Sequence, residues 1–379
     1  MATMTAEQAR AAFYANAVRR SVAVPGQTVS VGNASTVQNP QGQQLRFVLP
    51  QAGIPTHVLI LFSGTLSRTD GTTVGTVTAS PWFPYGLFGQ IGLKDYTGNQ
   101  RILTTGWDLY VRELLTHVVS IPKGLGTIED ASSALQNLVY TATIPSGTAS
   151  STTSATLNFS LLLPISFDAQ SVLGSYVATV PEGQVELNIT IPNITSGSFP
   201  DQSLLQTGGG TTVAVTGTVS VIYYYLDVPA GVPLPLDELR VVHEIVTLRT
   251  TQLQAGTFNP YILLTGRTYY RVWSNFVANG SPDTTDVTRL QFVVDQATPT
   301  LDEVIAAYLT RIRLEKGRDL PDGVFAWEFL RHPWSPDRYG SLSLVLWLDN
   351  TVSLAGNTFW SITRETLYTP TGNLAQATS

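Results

Sequence analysis

Four histidines are the first residues to weigh for chemistry: His57, His117, His243 and His332. A zinc hydrolase would set two of them one helical turn apart, as in an HExxH pattern, so that both rings reach one ion. No pair has that spacing. His57 opens an apolar strand pattern and reads as a core or strand-edge residue. "RHPWSPDR" (331–338) gathers His, Arg, Asp and Trp, and reads as a structured loop. "TGGGTT" (207–212) lacks the lysine and following helix that cradle a phosphate, so it reads as a flexible turn. No GxSxG elbow presents a serine. With no cysteine, thiolate chemistry, disulfides and cysteine-built zinc sites are excluded. Carboxylates are scattered along the chain, and spacing alone leaves an acid–base pair open. Asp237-Glu238 and Asp302-Glu303 fit turn and helix-start roles. The expectation is a non-enzyme with no cofactor and no metal site.

The elements around these residues are built from few charges. The 379 residues carry 21 Lys and Arg and 27 Asp and Glu, 13% in all, against a usual share of about 25%. Ser, Thr, Gly, Asn and Gln supply the polarity instead. Such a surface suits a chain that spends much of it on contacts with other subunits. The net charge of −6 argues against general nucleic-acid binding, which needs a basic face. The first twenty residues have no apolar stretch of signal-peptide length, and no run of ~18 apolar residues occurs. The expectation is a chain that stays in the cytoplasm where it is made.

Residues 5–20 read as a short basic helix. Thr5 is placed to cap it, Ala9, Phe13 and Ala17 line one side, and Arg10, Arg19 and Arg20 outweigh Glu7. From 21 to 235 the pattern is β and nearly uncharged, with 6 Lys and Arg and 11 Asp and Glu. Strands are expected at 56–67, 154–165, 183–192 and 211–226. Residues 91–105 read as a hairpin turning at 96–99, and 106–115 as a short helix. "DVPAGVPLPLDE" (227–238) holds three prolines and reads as the main boundary. Beyond it the charge density more than doubles, and strands are expected at 260–279, 288–296, 323–330, 340–349 and 358–368.

One helix stands out in the second half. Thr300 and Glu303 have capping-box spacing, Leu301, Val304, Ile305, Tyr308, Leu309 and Ile312 share a face, and Gly317 suits a left-handed stop. The spacing predicts a helix over 300–316 between two strands. A segment at 167–180, with Asp168 as cap, holds a similar place in the first half, so the connection reads as used twice.

The order of these elements resembles one family: the double jelly-roll major capsid proteins of tectivirus-type bacteriophages, which are tailless, icosahedral and contain an internal membrane. The stretches that carry it are 86–115, 154–193, "YYYLDVPAGVPLP" (223–235), "PDGVFAWEFLRHP" (321–333) and "FWSITRETL" (359–367). The resemblance implies an all-β chain of two tandem eight-stranded jelly rolls, each with a short helix in a late connection, plus an N-terminal helix. The expected divisions are an arm at 1–20, jelly roll 1 at 21–228, a Pro-rich linker at 229–238, jelly roll 2 at 239–368 and a polar tail at 369–379. It also implies a virion protein assembled in the host cytoplasm. Homotrimers would form six-sided capsomers that tile an icosahedral shell over a membrane, with minor capsid and vertex proteins as partners. Arg10, Arg19 and Arg20 would then lie near anionic headgroups, each contributing about 1 kcal/mol. An alternative from another class is a carbohydrate-binding or adhesive β-sandwich, suggested by seven Trp and fifteen Tyr. Most of these sit within strand patterns, where core packing is the ordinary role. A jelly-roll glycoside hydrolase is a third reading.

Overall fold

Alternation of apolar and polar side chains at period two builds most of the chain. The computed structural model describes residues 5–369, apart from 33–41, 117–140, 169, 180–182, 196–197, 296–298, 318, 331–332 and 336–340. Eight main strands precede the proline-rich joint: β1 (Val18–Gly32), β2 (Gln43–Leu49), β3 (Ile54–Thr69), β4 (Gln90–Lys94), β5 (Gln100–Thr104), β6 (Thr152–Pro164), β7 (Val185–Ile191) and β8 (Thr212–Asp227). Eight more follow it: β9 (Val242–Thr250), β10 (Phe258–Ile262), β11 (Thr268–Ala278), β12 (Val287–Val294), β13 (Pro299–Val304), β14 (Val324–Glu328), β15 (Leu342–Leu348) and β16 (Phe359–Tyr368). Four α-helices complete the frame among the described residues: α1 (Ala6–Asn16), α2 (Gly106–Thr116), the one-turn α3 (Leu236–Leu239) and α4 (Ile305–Lys316). In β7 the burial alternates perfectly, with Val185, Leu187, Ile189 and Ile191 inward.

The first eight strands pair as two sheets, in the orders β1-β8-β3-β6 and β2-β7-β4-β5. The second eight pair as β9-β16-β11-β14 and β10-β15-β12-β13. Subtracting eight from each label turns the second pair of orders into the first. The repeat is thus one of topology, strand n matching strand n+8. One short helix follows the fifth strand of each half, α2 after β5 and α4 after β13.

The halves are fused. Strand β5 runs parallel to β9, with Ile102 opposite Ile245 and Leu103 opposite Val246. This joins β2-β7-β4-β5 and β9-β16-β11-β14 into one nine-stranded wall, counting the short strand Ser281–Pro282. The larger hydrophobic core fills the first barrel and also takes in Ile245, Trp273, Val277 and Phe359 from the second. The second barrel has its own core around Trp360, Tyr269, Phe292 and Tyr308.

Three expectations need correction. First, the N-terminal helix stops at Asn16, because Ala17 is already extended, and Arg19 and Arg20 belong to β1. Its capping is as expected: Thr5 accepts from the Gln8 amide, and the Gln8 side chain accepts from the Thr5 amide. Second, the helix expected at 300–316 begins at Ile305. Thr300 and Glu303 lie in β13, which pairs with β12 through Leu301 opposite Phe292 and Glu303 opposite Leu290. Glu303 takes a bidentate pair from Arg311 rather than capping a helix. The end is as expected, since Gly317 has φ of 70°. Third, the described residues of 167–180 form turns, not a helix. Their backbone groups are used elsewhere: the Gly174 amide donates to Glu238 O (3.1 Å), and Gly174 O accepts from the His243 amide (3.0 Å). The first copy of the repeated helix is therefore α2.

Candidate inter-barrel joint

Helix α2 is placed by its first residues. Thr105 accepts from the Asp108 amide at the N-cap. Gly106 donates to Phe88 O at 2.7 Å, and a Cβ there would lie 2.4 Å from Tyr85 O, so only glycine lets the helix start this close. Every residue from Gly106 to Leu115 is buried. Leu109 and Leu114 enter the larger core, and Tyr110 stacks on Tyr85 with ring centroids 4.2 Å apart. Trp107, Asp108 and Arg112 reach the second barrel as well. Trp107 Nε1 donates to Asn275 Oδ1 (2.9 Å), and Asn275 Nδ2 donates to Asp108 Oδ1 (2.8 Å). Thr247 donates to Asp108 Oδ2 at 3.0 Å.

At the centre is Glu365 of β16, fully enclosed. Its Oε1 accepts from Arg112 Nε (3.0 Å) and Nη2 (2.6 Å) and lies 3.1 Å from His243 Nε2. Its Oε2 accepts from Arg271 Nη1 at 2.6 Å. Arg271 also donates to Glu328 (2.8 Å), which pairs with Lys316 at the end of α4. Lys316 Nζ in turn donates to Leu115 O, at the end of α2 (3.1 Å). The cluster thus ties α2, β9, β11, β14, β16 and α4 together at one place.

Two of the buried carboxyls of the joint are shifted in opposite directions. Burial alone would raise the Glu365 carboxyl. The Arg112 and Arg271 guanidiniums, with His243, outweigh it and hold Glu365 well below the usual carboxylate range. Among the described residues, Asp108 makes no ion pair. Burial dominates there and pushes its carboxyl up, against hydrogen bonds from Thr105, Thr363, Thr247 and Asn275. A second buried pair, Arg101 to Asp95 at 2.8 Å, braces the same side, with Arg101 Nη1 donating to Gly174 O (2.9 Å). These contacts fix geometry. Among the described residues, no group of three or more His, Asp or Glu is placed to hold one metal ion.

The residues singled out from sequence go to separate places. His243 is in the joint, where nothing in its local sequence marked it. His57 stacks on Tyr224, with centroids 4.4 Å apart. His117 and His332 lie outside the described residues. Of 331–338, Pro333 to Ser335 are described, and Trp334 packs against the second core. Residues 207–212 form the turn into β8, where Gly209 and Gly210 have positive φ. Thr211 there donates to Asp70, whose carboxyl is held down to about 2, chiefly by hydrogen bonds from Arg68 and Thr211. Of the aromatics behind the sugar-binding alternative, Tyr223, Tyr269, Trp273 and Trp327 are buried, and Tyr224, Tyr225, Tyr270 and Trp347 are half-buried. Arg10 is half-exposed and paired with Glu238 (3.5 Å), Arg20 is paired with Asp227 (2.8 Å), and Arg19 is exposed. Sequence reading missed Arg112, Arg271 and Glu365. The available signal was a lone arginine in an apolar helix and a charged pair inside an apolar strand.

No protein-family model matches the chain, and no curated protein matches its sequence. Solved structures do match in fold. The major capsid protein of Sulfolobus turreted icosahedral virus aligns over 92% of this chain and 97% of its own, at 14% identity and a TM-score of 0.60. An atomic structure of the same virus aligns over 94% of both chains, at 15% identity and 0.60. The PBCV-1 virus capsid aligns over 93% of this chain and 94% of its own, at 11% identity and 0.54. The fold is a double jelly roll. Its two barrels share the strand order given above, and the joint around Glu365 is the place where this double jelly roll locks one barrel to the other.

Proposed function

We propose that the chain is a structural major capsid protein. It homotrimerises into pseudo-hexagonal capsomers that tile an icosahedral shell over an internal membrane, in a virion of the tectivirus type assembled in the host cytoplasm. The observation that carries this reading is the repeated strand order with the halves locked by α2, which gives one molecule two like bricks in fixed relation. Three such molecules in a closed head-to-tail ring make a six-sided block. The reading divides the chain into an arm, jelly roll 1 (21–228), a linker (229–238), jelly roll 2 (239–368) and a tail, with β1 extending back to Val18. Arg10, Arg19 and Arg20 form the membrane-proximal end, and vertex and minor proteins are further partners.

Light scattering on the size-exclusion peak is the test, with electron microscopy of the same fraction. The expected result is a homotrimer of six-sided outline. A monomer at all concentrations would sink the reading. For the arm, replacing Arg19 and Arg20 by Gln should leave the trimer intact and weaken sedimentation with anionic vesicles. Unchanged sedimentation would remove the membrane role from these residues.

A further inference from the structure

The contact inside the chain is a template for a contact between chains. Within one molecule, β5 meets β9 edge to edge in parallel, and α2, which follows β5, lies over the outer face of the β9-β16-β11-β14 sheet. The repeat advances every label by eight. Advanced once, β5 becomes β13, α2 becomes α4, and the place of β9 falls to β1 of another copy, the strand that matches it in the repeat. From this we infer that α4 and β13 of one molecule dock on the β1-β8-β3-β6 sheet of a second copy. The inference rests on the homotrimer reading and specifies its interface.

Three observations support this occupant. Among the described residues, β13 pairs only with β12, and β1 only with β8, so each has an edge that no strand covers, although on β1 the Gln43 side chain accepts from the Ser30 amide and donates to Thr28 O. Helix α4 is the half-covered counterpart of α2. It buries Tyr308 and Ile312 in its own barrel but turns Ala307, Thr310 and Leu314 outward, and Leu314 is 80% exposed. Leu314 is the most exposed large hydrophobic side chain among the described residues. The receiving sheet matches it. Its outward residues on β1 from Ser21 to Ser30, and along β3, β6 and β8 up to Tyr224, include no Asp, Glu, Lys or Arg. They are hydroxyls such as Ser63, Thr156 and Thr218, with Leu61 and Ile222 half-buried beside them. An exposed sheet normally carries charges that discourage association. Four strands at ~4.8 Å spacing and thirteen residues at ~3.3 Å present roughly 800 Å², about what each partner gives to a standard interface. The contact is heterologous, so it propagates head to tail and closes when the ring is complete.

The test uses the full chain. Leu314→Glu changes a side chain that touches little, so the fold should be kept, with thermal unfolding of the subunit near the wild-type value. Light scattering should show loss of the trimer to monomer. Phe258→Glu, on the outer face of the β10-β15-β12-β13 sheet, should leave the trimer intact. Because the protein has no cysteine, engineered thiols report cleanly. A mixture of Leu314→Cys chains and Ser63→Cys chains should give a covalent dimer with a short bismaleimide, and neither variant alone should. A wild-type trimer that Leu314→Glu leaves intact, or that Phe258→Glu dissociates instead, overturns the docking surface and spares the homotrimer. A wild-type monomer overturns the homotrimer itself.

Discussion

Replacing Glu365 by Gln is the sharpest probe of the joint. The amide keeps the size of the side chain and removes its charge. Among the described residues, Arg112 then faces only the Glu113 carboxylate, 3.5 Å away, and Arg271 keeps only that of Glu328. Removing one partner of a buried ion pair costs about 3–5 kcal/mol, because the remaining charge stays desolvated without compensation. For a chain of 379 residues the unfolding entropy is about 0.8 kcal/mol/K. The midpoint of thermal unfolding should therefore fall by about 4–6 °C. Calorimetry at neutral pH reads this, and the barrels should melt together because one core spans both. Adding Arg112→Met should restore part of the loss, since it removes the stranded cation. The pH profile gives an independent check. The folded Glu365 carboxyl lies below its unfolded value, so its stabilisation is present above about pH 4.3 and is lost as pH falls through the depressed value. Glu365→Gln should lack that acid-side loss. A variant within 1 °C of wild type, with the same acid profile, would falsify the claim that the carboxylate holds the joint.

Asp108 should behave in the opposite sense. Its folded carboxyl is raised by burial, so ionisation opposes folding as pH rises above the ordinary aspartate value near 4. Asp108→Asn should flatten the pH dependence in that window, as read by denaturant midpoints across pH 4–8. Tyr308→Phe should lose about 1–3 kcal/mol, since the hydroxyl accepts from the buried Ala326 amide at 2.6 Å and nothing replaces it; urea titration measures this. Gly317→Ala should cost about 1 kcal/mol by the same assay, because φ is 70° while the space for a methyl group is open.

What could be read in advance follows from range. Period-two burial is a local property, so strands such as β3, β7 and β8 were legible, and so was α2 from its apolar spacing. Strand β13 was not, because Thr300 and Glu303 have capping-box spacing, and only pairing with β12 overrides it. The first helix copy was sought at 167–180 because Asp168 and the apolar spacing are locally correct. The deciding bonds go from Gly174 to Glu238 and His243, beyond any local window. The joint was hidden for the same reason. Arg112 and Glu365 are 253 residues apart, and their pairing exists only once two sheets are in place. Fold class is therefore a short-range signal, whereas the lock between the barrels is a long-range one.

The nine-stranded wall has a mechanical consequence. Two barrels that merely touched could pivot about their connector. Here a continuous backbone ladder crosses from one to the other, so pivoting would have to break strand pairing and the salt-bridged helix together. Each molecule should behave as a rigid plate, and any curved surface assembled from such plates has to bend at the seams between molecules.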